Sequence, residues 1–344
     1  MIHPKYININ RILGAMTFLI SFIVYFDTMA PSVSYWDCGE FIAVSYTLGV
    51  PHPPGSPLFL LLGRIASMLP ISEDIAFRVN LLSPLASAFS VLFLYFIIVQ
   101  LVNHWRGKIE TNTDALIAFG AGIVGSLTFA FTDSHWFNAV EAEVYAFSTF
   151  FTAIVVWLAL LWSEKADEKG NERYILIIAY MIGLATGLHL LNLLTIPFVA
   201  LVIYFKKYKF EWTSFAILIA ITGLVFFIIH NVIIKGMPKI ADAIGVSATA
   251  LLVVTIFASM VWAIINHKQL LSIVLTSIVL VLIGYSTYAM IFIRSNQNPG
   301  IDENDPETVE AFISYLEREQ YGDVGMFPRR FKGIKPIHEV VGYP

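Results

Sequence analysis

Charged residues make up only 13% of this 344-residue chain, whereas 57% of its residues are hydrophobic. An ordinary soluble domain carries roughly 25% charged residues, so the composition excludes a single soluble core and indicates several membrane spans. The net charge of -4 excludes the usual basic footprint of a nucleic-acid-binding protein, and the single cysteine excludes an intramolecular disulfide.

Hydropathy predicts nine apolar segments. They lie at about residues 12–26, 80–103, 114–131, 143–162, 174–188, 190–205, 213–234, 246–265 and 270–293. The first follows Lys5 and Arg11 and resembles a signal peptide, but the many later spans favour a retained helix. The fifth and sixth segments meet at Gly187-Leu188-His189, where one long broken helix is an alternative.

The distribution of lysine and arginine predicts the orientation of these spans. With the N-terminus inside, most basic residues fall in inner loops. The outer loops hold only Arg64, Arg78, Lys235 and Lys239. The bias predicts a cytoplasmic N-terminus, and it places the loop 27–79, the loop 132–142, His189 and the tail from residue 294 on the outer face.

The loop 27–79 is too long for a simple connection. Residues 37–48 are predicted to be helical, with Asp37 and Glu40 on one face. Pro53 and Pro54 could start a second helix. That helix, at about 56–69, is too short to span and is expected to lie along the membrane surface.

The chain divides into a transmembrane domain, residues 1–293, and a polar tail, residues 294–344. The tail is expected to begin a soluble region, in a chain that is either a truncated fragment or naturally short. Asp305-Pro306-Glu307 predicts the start of an amphipathic helix in it, because a capping aspartate precedes a proline and an acid. Gly322 could end that helix.

Asp37 and Glu40 are the first candidates for chemistry. Ionisable residues at the edge of a membrane domain are costly and mark functional sites. A carboxylate there could act as a general base towards a hydroxyl, with the second carboxylate as its partner. The alternatives are helix capping near Ser34 or an ion pair with Arg64 or Arg78.

His52 and Arg78 are candidates for binding a charged group. The His52-Pro53-Pro54-Gly55 turn has a constrained backbone, and its imidazole could bind a phosphate or a metal, or orient an acceptor. A solvated turn is the alternative. Arg78 could clamp a lipid-linked phosphate or extend towards lipid headgroups.

A second outer cluster contains acids, a histidine and aromatic residues. Its members are Asp133, His135, Trp136, Glu141, Glu143 and Tyr145. They could hold a sugar, or a divalent metal through oxygen ligands, and a hydrated loop is the alternative. His189 and Asn192 lie in an apolar stretch, where they could contact the substrate or simply bond between helices.

These residues together resemble a known family. A first outer loop with an acid after the first helix resembles the GT-C glycosyltransferases, which use polyprenyl-phosphate sugars. The closer resemblance, over nearly the whole chain, is to the bacterial DUF2723 family, related to the TMEM260 protein O-mannosyltransferases. Its motifs are Trp36-Asp37-Cys38-Gly39-Glu40, His52-Pro53-Pro54-Gly55-Ser56-Pro57-Leu58, Glu141-Ala142-Glu143-Val144-Tyr145, Gly187-Leu188-His189-Leu190-Leu191-Asn192, Asn298-Pro299-Gly300-Ile301-Asp302-Glu303-Asn304 and Tyr315-Leu316-Glu317-Arg318-Glu319-Gln320-Tyr321-Gly322-Asp323.

The resemblance implies an all-α polytopic GT-C-like helix bundle whose long first outer loop carries interfacial helices. It implies a membrane glycosyltransferase that moves a sugar, mannose at the family level, from a polyprenyl-phosphate donor to a hydroxyl of an exported protein or glycan. Asp37 would be the base with Glu40 beside it, and His52 and Arg78 would lie near the donor phosphate.

The substrate-contacting residues and the setting complete this expectation. The substrate-binding set is Asp133, Glu141, Glu143, Tyr145, His189 and Asn192. No cofactor is expected, although a divalent metal stays open. The expected location is a bacterial inner membrane, with the active site on the periplasmic face. The rival classes are a transporter or flippase of a polar or lipid-linked solute, and a non-catalytic envelope scaffold.

Overall fold

Helices dominate the computed structural model, which describes residues 2–322. The helices are α1 Pro4–Thr28, α2 Cys38–Thr47, α3 Pro57–Met68, α4 Ile75–Asn80, α5 Leu82–Arg106, α6 Asn112–Ala130, α7 Asp133–Ala139, α8 Val144–Lys165, α9 Glu172–Thr186, α10 Thr195–Lys207, α11 Trp212–Phe227, α12 Gly236–Ile244, α13 Val246–Ile265, α14 Gln269–Tyr285, α15 Ala289–Ser295 and α16 Val309–Glu317. Within that range the only β-pairings are two isolated bridges, Ile2 with Ile109 and Val50 with Asp302. The predicted all-α class is confirmed.

Local sequence signals explain several helix ends. Pro4 opens α1, where a missing N–H costs nothing. Thr111 and Asp114 form a reciprocal capping box at the start of α6. Tertiary packing, rather than such caps, supplies most of the stability of long helices.

Eight helical stretches in the described chain are long and apolar enough to cross a membrane. They begin at Pro4, Ile75, Asn112, Val144, Leu190, Trp212, Val246 and Gln269. The chain is therefore an integral, multi-pass membrane protein, as the hydropathy predicted. The remaining predicted segment, 174–188, forms α9, which at 15 residues falls below the length of a typical span.

The break near Gly187 separates two helices with opposite directions. At one end of the bundle, Glu143 before α8 and His189 after α9 line the same cavity. At the other end, Asp167 after α8 pairs with Lys206 and Lys207 at 3.2 and 3.5 Å. Short α9 must therefore carry the chain back to the cavity end. The alternative of one long broken helix is wrong.

The long first loop contains the two predicted short helices. Residues Cys38–Thr47 form α2, with Asp37 at its N-cap position, and Pro57–Met68 form α3. The helix predicted at about 56–69 is confirmed as α3. Pro53 and Pro54 do not open it, because Gly55, with a φ of 71°, lies between them and Pro57. These short helices pack at the same end of the bundle as α4.

The tail packs back onto the first loop. Val50 N donates to Ile301 O at 2.9 Å, and Glu303 N donates to Val50 O at 3.1 Å. The helix predicted from Asp305-Pro306 begins later, at Val309, because Asp305 has a left-handed φ of 44° and Thr308 supplies the cap. The part of the tail beyond Gly322 lies outside the described residues.

Helices α9 and α14 approach each other closely at the site end. A Cβ added to Gly183 would lie 2.7 Å from the Cα of Val281, and one added to Gly284 would meet the backbone of Gly183. Small residues at such crossings let two helix backbones approach closely. A side chain larger than that of glycine at either position would therefore push the two helices apart.

Gly284→Ala should destabilise the fold by about 1–3 kcal/mol, the usual cost of overpacking. Gly223→Ala is the matched control, because a Cβ at Gly223 meets nothing within 4 Å and alanine favours helix. Thermal unfolding in detergent measures both. An unfolding temperature for Gly284→Ala equal to that of Gly223→Ala would contradict the close packing.

Candidate functional site

A buried amide positions the segments around the site. The fully buried Asn80 donates from Nδ2 to the carbonyls of Ala30 and Ser32, both at 2.9 Å. Its Oδ1 accepts from the backbone N–H of Ala142 at 3.0 Å and faces Cys38 Sγ at 3.7 Å. The segment before α2, the start of α2 and the segment before α8 are thus held together.

Glu40 and His52 form the central polar contact. Glu40 Oε2 lies 2.7 Å from His52 Nδ1, and Glu40 Oε1 accepts from the backbone N–H of His52 at 2.6 Å. Because Glu40 lies in the first turn of α2, the carboxylate fixes the His52-Pro53-Pro54-Gly55 turn against that helix. A carboxylate on Nδ1 sets the orientation of the ring and leaves Nε2 for other partners.

Glu40 and His52 shift each other's pKa. The hydrogen bond to Glu40 raises the pKa of His52 above its usual value against the effect of burial, and the charges of Glu40, Asp37 and Glu303 add to the rise. Burial raises the pKa of Glu40, but the hydrogen bonds from the side chain and backbone of His52 outweigh it and lower this pKa overall. Both shifts favour a carboxylate–imidazolium pair.

Asp37 completes the cluster on the solvent side. Its Oδ2 lies 4.0 Å from His52 Nε2, and its side chain is 55% exposed. Although Asp37 occupies the N-cap position of α2, its side chain makes no capping hydrogen bond there. The alternatives of helix capping and of pairing with an arginine are thus not what the described structure shows. The Asp37 carboxylate faces a cavity.

The cavity has a volume of about 250 Å³ and a mixed polar and apolar lining. Its lining residues are Asp37, Phe41, His52, Pro53, Pro54, Gly55, Ser56, Glu143, Val144, Tyr145, Thr186, Leu188, His189, Leu190, Tyr288 and Arg318. Five of the predicted site residues therefore meet around one space, although they come from four separate parts of the chain.

Glu143 is the buried acid of this cavity. Burial raises its pKa to about 7, against the effect of the bond that it accepts from the backbone N–H of Val144. The charges of Asp37 and Glu141 raise this pKa further. Near neutral pH, Glu143 can therefore hold a proton and donate a hydrogen bond, whereas Glu40 stays ionised.

Two rings form another wall. The ring centroids of Tyr145 and His189 are 5.2 Å apart. Burial lowers the pKa of His189, and the charge of Arg318 lowers it further. A neutral imidazole beside an exposed tyrosine ring suits a sugar, which presents hydroxyls at its edge and C–H groups on its faces.

Other predicted site residues lie away from the cavity lining. Arg78 donates to the carbonyls of Ser72 and Ser67 at 2.6 and 2.8 Å, so it braces the loop before α4. Asn192 bonds to Ser148 at 3.1 Å and Thr152 at 3.0 Å, which is the interhelical role left open above.

The second predicted cluster is dispersed. Asp133 is exposed on α7, and His135 is buried against Phe129 at 4.3 Å between ring centroids. Glu141 is buried, but it does not line the cavity. Only Glu143 and Tyr145 of that cluster reach the site.

The structure adds residues that the sequence interpretation did not select. Arg318 and Tyr288 line the cavity, and the buried Tyr315 donates to Pro51 O at 2.7 Å. Tyr315 and Arg318 belong to the Tyr315–Asp323 motif, which gave a role to neither, and no sequence pattern indicated Tyr288. Long-range packing of the tail onto the first loop brings them to the site.

An apolar cavity of about 260 Å³ adjoins the polar one. It lies between α12, α13, the end of α14, α15 and α16, and Met237, Ala241, Val246 and Phe292 belong to its lining. Tyr288 lines both cavities. Tyr288 therefore contacts both a polar space and a space suited to hydrocarbon.

One group in the described chain has the spacing of metal ligands. Single ligand atoms of Asp37, Glu40 and His52 all lie within 4.8 Å of one another. Nδ1 of His52 is already engaged by Glu40, so Nε2 and the Asp37 carboxylate would be the atoms to face a cation, with Glu40 behind the imidazole. The metal site considered around Asp133 and His135 does not form.

The fold and site define a polytopic membrane protein with an acid–imidazole cluster and a mixed cavity at one end of its helix bundle. Residues 37–212, just over half of the chain, match the family described as the protein O-mannosyl-transferase TMEM260 N-terminal domain. The chain belongs to this family. The matched range contains Asp37, Glu40, His52 and Glu143.

Two curated relatives carry the same name. The chain is 31% identical over 198 residues to "Protein O-mannosyl-transferase tmem260" of Dictyostelium discoideum, which covers 53% of this chain and 22% of the relative. It is 29% identical over 162 residues to the Mus musculus protein of that name, covering 47% and 21%. The matches thus span about a fifth of each relative's length. No solved structure matches the chain.

Glu40→Gln should lower thermal stability in a pH-dependent way. The raised pKa of His52 contributes stability that is complete below its ordinary value of 6.5 and is lost as pH rises through the folded pKa. The lowered pKa of Glu40 contributes stability that is present above its ordinary value of 4.5 and is lost as pH falls through the folded pKa.

The deficit in unfolding temperature should therefore be largest between those two ordinary values and should shrink at alkaline pH. Exposed Glu73, replaced by Gln, is the control and should show little pH-dependent deficit. Unfolding scans across pH measure both variants. A Glu40→Gln deficit that is flat with pH would contradict the ion pair.

Proposed function

We propose that this protein is a membrane glycosyltransferase that moves a sugar from a polyprenyl-phosphate donor to a hydroxyl acceptor. The observation that carries the proposal is the exposed Asp37 carboxylate facing a cavity beside the Glu40–His52 pair. The names of the two relatives favour mannose as the sugar and a protein as the acceptor.

The paired cavities support a lipid-linked donor. A polyprenyl-phosphate sugar has a hydrocarbon chain at one end and a charged, hydroxyl-rich group at the other. The apolar cavity suits the first unit of the chain, and the polar cavity suits the phosphate and sugar, and Tyr288 lines both. An apolar space next to a polar one therefore supports a GT-C type of enzyme.

The proposed reaction is a single inverting displacement. Asp37 takes the proton of a Ser or Thr hydroxyl as its oxygen attacks the anomeric carbon. The bond from that carbon to the phosphate oxygen breaks, and the polyprenyl phosphate leaves with the electron pair. His52, held by Glu40 and favoured in its charged form, faces the charge that develops on the phosphate.

The other cavity residues position the sugar. Glu143, whose raised pKa of about 7 lets it hold a proton near neutral pH, can donate to a sugar hydroxyl, while the Tyr145 and His189 rings can contact the faces of the sugar. Holding donor and acceptor in line contributes to the rate in the same way as in other two-substrate enzymes. Arg78, bonded to loop carbonyls, has no part in this proposal.

The proposed setting is a bacterial inner membrane with the site on the periplasmic face. The positive-inside rule supports this orientation. The loops at the end of the bundle opposite the site hold Lys165, Lys206 and Lys207, which pair with acids of these loops. The mechanism routes no step through a metal. Assays with and without a chelator of divalent cations test whether Asp37, Glu40 and His52 act as ligands instead.

Asp37→Asn should reduce sugar transfer by about 10²–10⁴-fold, the usual loss when a general base is removed. Donor affinity should change little, because asparagine keeps the size of the side chain. The assay uses protein in lipid discs, labelled polyprenyl-phosphate mannose and peptides rich in Ser and Thr. Exposed Asp27, at the end of α1, provides the control Asp27→Asn, which should keep full turnover.

The outcomes separate the proposal from its rivals. Undiminished turnover in Asp37→Asn would rule out Asp37 as the base. Donor binding without transfer in the wild type, with movement of the labelled lipid between leaflets, would favour a flippase. Absence of donor binding would favour a scaffold.

Ala241→Trp should weaken binding of long-chain donors by filling the apolar cavity. Ala241 lines that cavity, whereas Ala258, on α13, is exposed and does not line it, so Ala258→Trp is the matched control. We expect KM to rise about tenfold for a long polyprenyl donor, as for a few displaced methylene groups, and to rise little for a donor with a very short chain. An equal effect on both donors would contradict the placement of the polyprenyl chain in the apolar cavity.

A further inference from the structure

The tail from residue 294 is hydrogen-bonded to the loop segment that carries His52. Arg294 Nε donates to Leu48 O at 2.6 Å, and the buried Tyr315 hydroxyl donates to Pro51 O at 2.7 Å. A Cβ at Gly55 would lie 2.6 Å from that hydroxyl, so the tail and the turn are in direct contact. Helix α16 is therefore fixed against the same loop as the acid–imidazole cluster.

Arg318 is the first residue after α16, and its backbone is unusual. It has a φ of 61°, in the left-handed region that a residue with a side chain seldom adopts. Its N–H donates to Tyr315 O at 3.2 Å, which ends the helix, and its guanidinium lies 4.9 Å from the centroid of the Tyr321 ring. This turn directs the chain so that Arg318 lines the polar cavity.

The charge of Arg318 lacks an acidic partner in the described chain. No carboxylate oxygen of residues 2–322 lies within 4.0 Å of its guanidinium, although Asp37 and Glu143 line the same cavity. The charged or titratable groups that line the cavity are Asp37, His52, Glu143, Tyr145, His189, Tyr288 and Arg318. Arg318 is thus the one permanent cation among these described lining residues.

A guanidinium presents several N–H donors in a planar fork that matches the oxygens of a phosphate. His189 lines the same cavity as Arg318. We propose that Arg318 binds the phosphate of the lipid-linked donor, on the His189 side of the cavity. The inference rests on the proposed function and deepens it.

The placement divides the site between two parts of the chain. The family match ends at residue 212, so the acid–imidazole cluster falls inside it and Arg318 falls outside. On this inference the tail supplies the phosphate-binding cation that was expected of Arg78. The leaving phosphate then meets Arg318 and His52, while Asp37 faces the acceptor.

The test compares binding of a polyprenyl monophosphate with binding of the uncharged polyprenol of equal chain length, using the full chain in lipid discs of neutral lipid. Arg318→Gly is the informative variant, because glycine accepts a positive φ and should leave thermal stability unchanged or higher. We expect its affinity for the monophosphate to fall about 10- to 100-fold, as for loss of a charged hydrogen bond, with polyprenol affinity unchanged. Arg318→Lys should recover part of the loss.

Arg173→Gly is the matched control, because Arg173 lies over the Tyr174 ring at 5.0 Å but at the opposite end of the bundle. It should bind the monophosphate as the wild type does. If the wild type prefers monophosphate to polyprenol and Arg318→Gly keeps that preference, the inference fails and the proposed function stands. If the wild type shows no preference, the phosphate donor and the inference fail together.

Discussion

The amide of Asn80 is the constraint on which the site end of the molecule depends. A buried amide must find partners for its donors and acceptor, since an unpaired polar group in an apolar interior is costly. Asn80 satisfies this requirement only when the residues after α1, the start of α2 and the segment before α8 are all in place. The same interaction that closes the core therefore sets the spacing between Asp37 and Glu143.

The sequence predicted the membrane spans and the short helices α2 and α3 well, because apolar length and proline placement are local signals. It placed Asp37 and Glu40 on one helix face and His52 in a constrained turn of the same loop, but it did not predict the hydrogen bond between Glu40 and His52. It misplaced the start of α16, where the left-handed backbone of Asp305 is imposed by packing of the tail rather than by its own residue type.

The candidate site was harder to predict where it depends on contacts far apart in the chain. Arg78 has the charge and the position expected of a phosphate ligand, but its Nε and one terminal nitrogen donate to nearby backbone carbonyls. Asp133 and Glu143 looked equivalent in sequence, and only the packing of α7 and α8 exposes one and buries the other. The contribution of the tail arises from bonds to Val50 and Pro51 that no local pattern encodes.

The shortness of α9 bears on where the chemistry lies in the bilayer. A helix of 15 residues is about 22 Å long, whereas the hydrocarbon core is about 30 Å thick. A bilayer accommodates such a short helix by local thinning, or the residues that flank the helix extend to the interface. Local thinning at α9 brings the headgroup region close to His189 and to the polar cavity that it lines. On the proposed function, a lipid-linked phosphate meets that cavity without entering the hydrocarbon core.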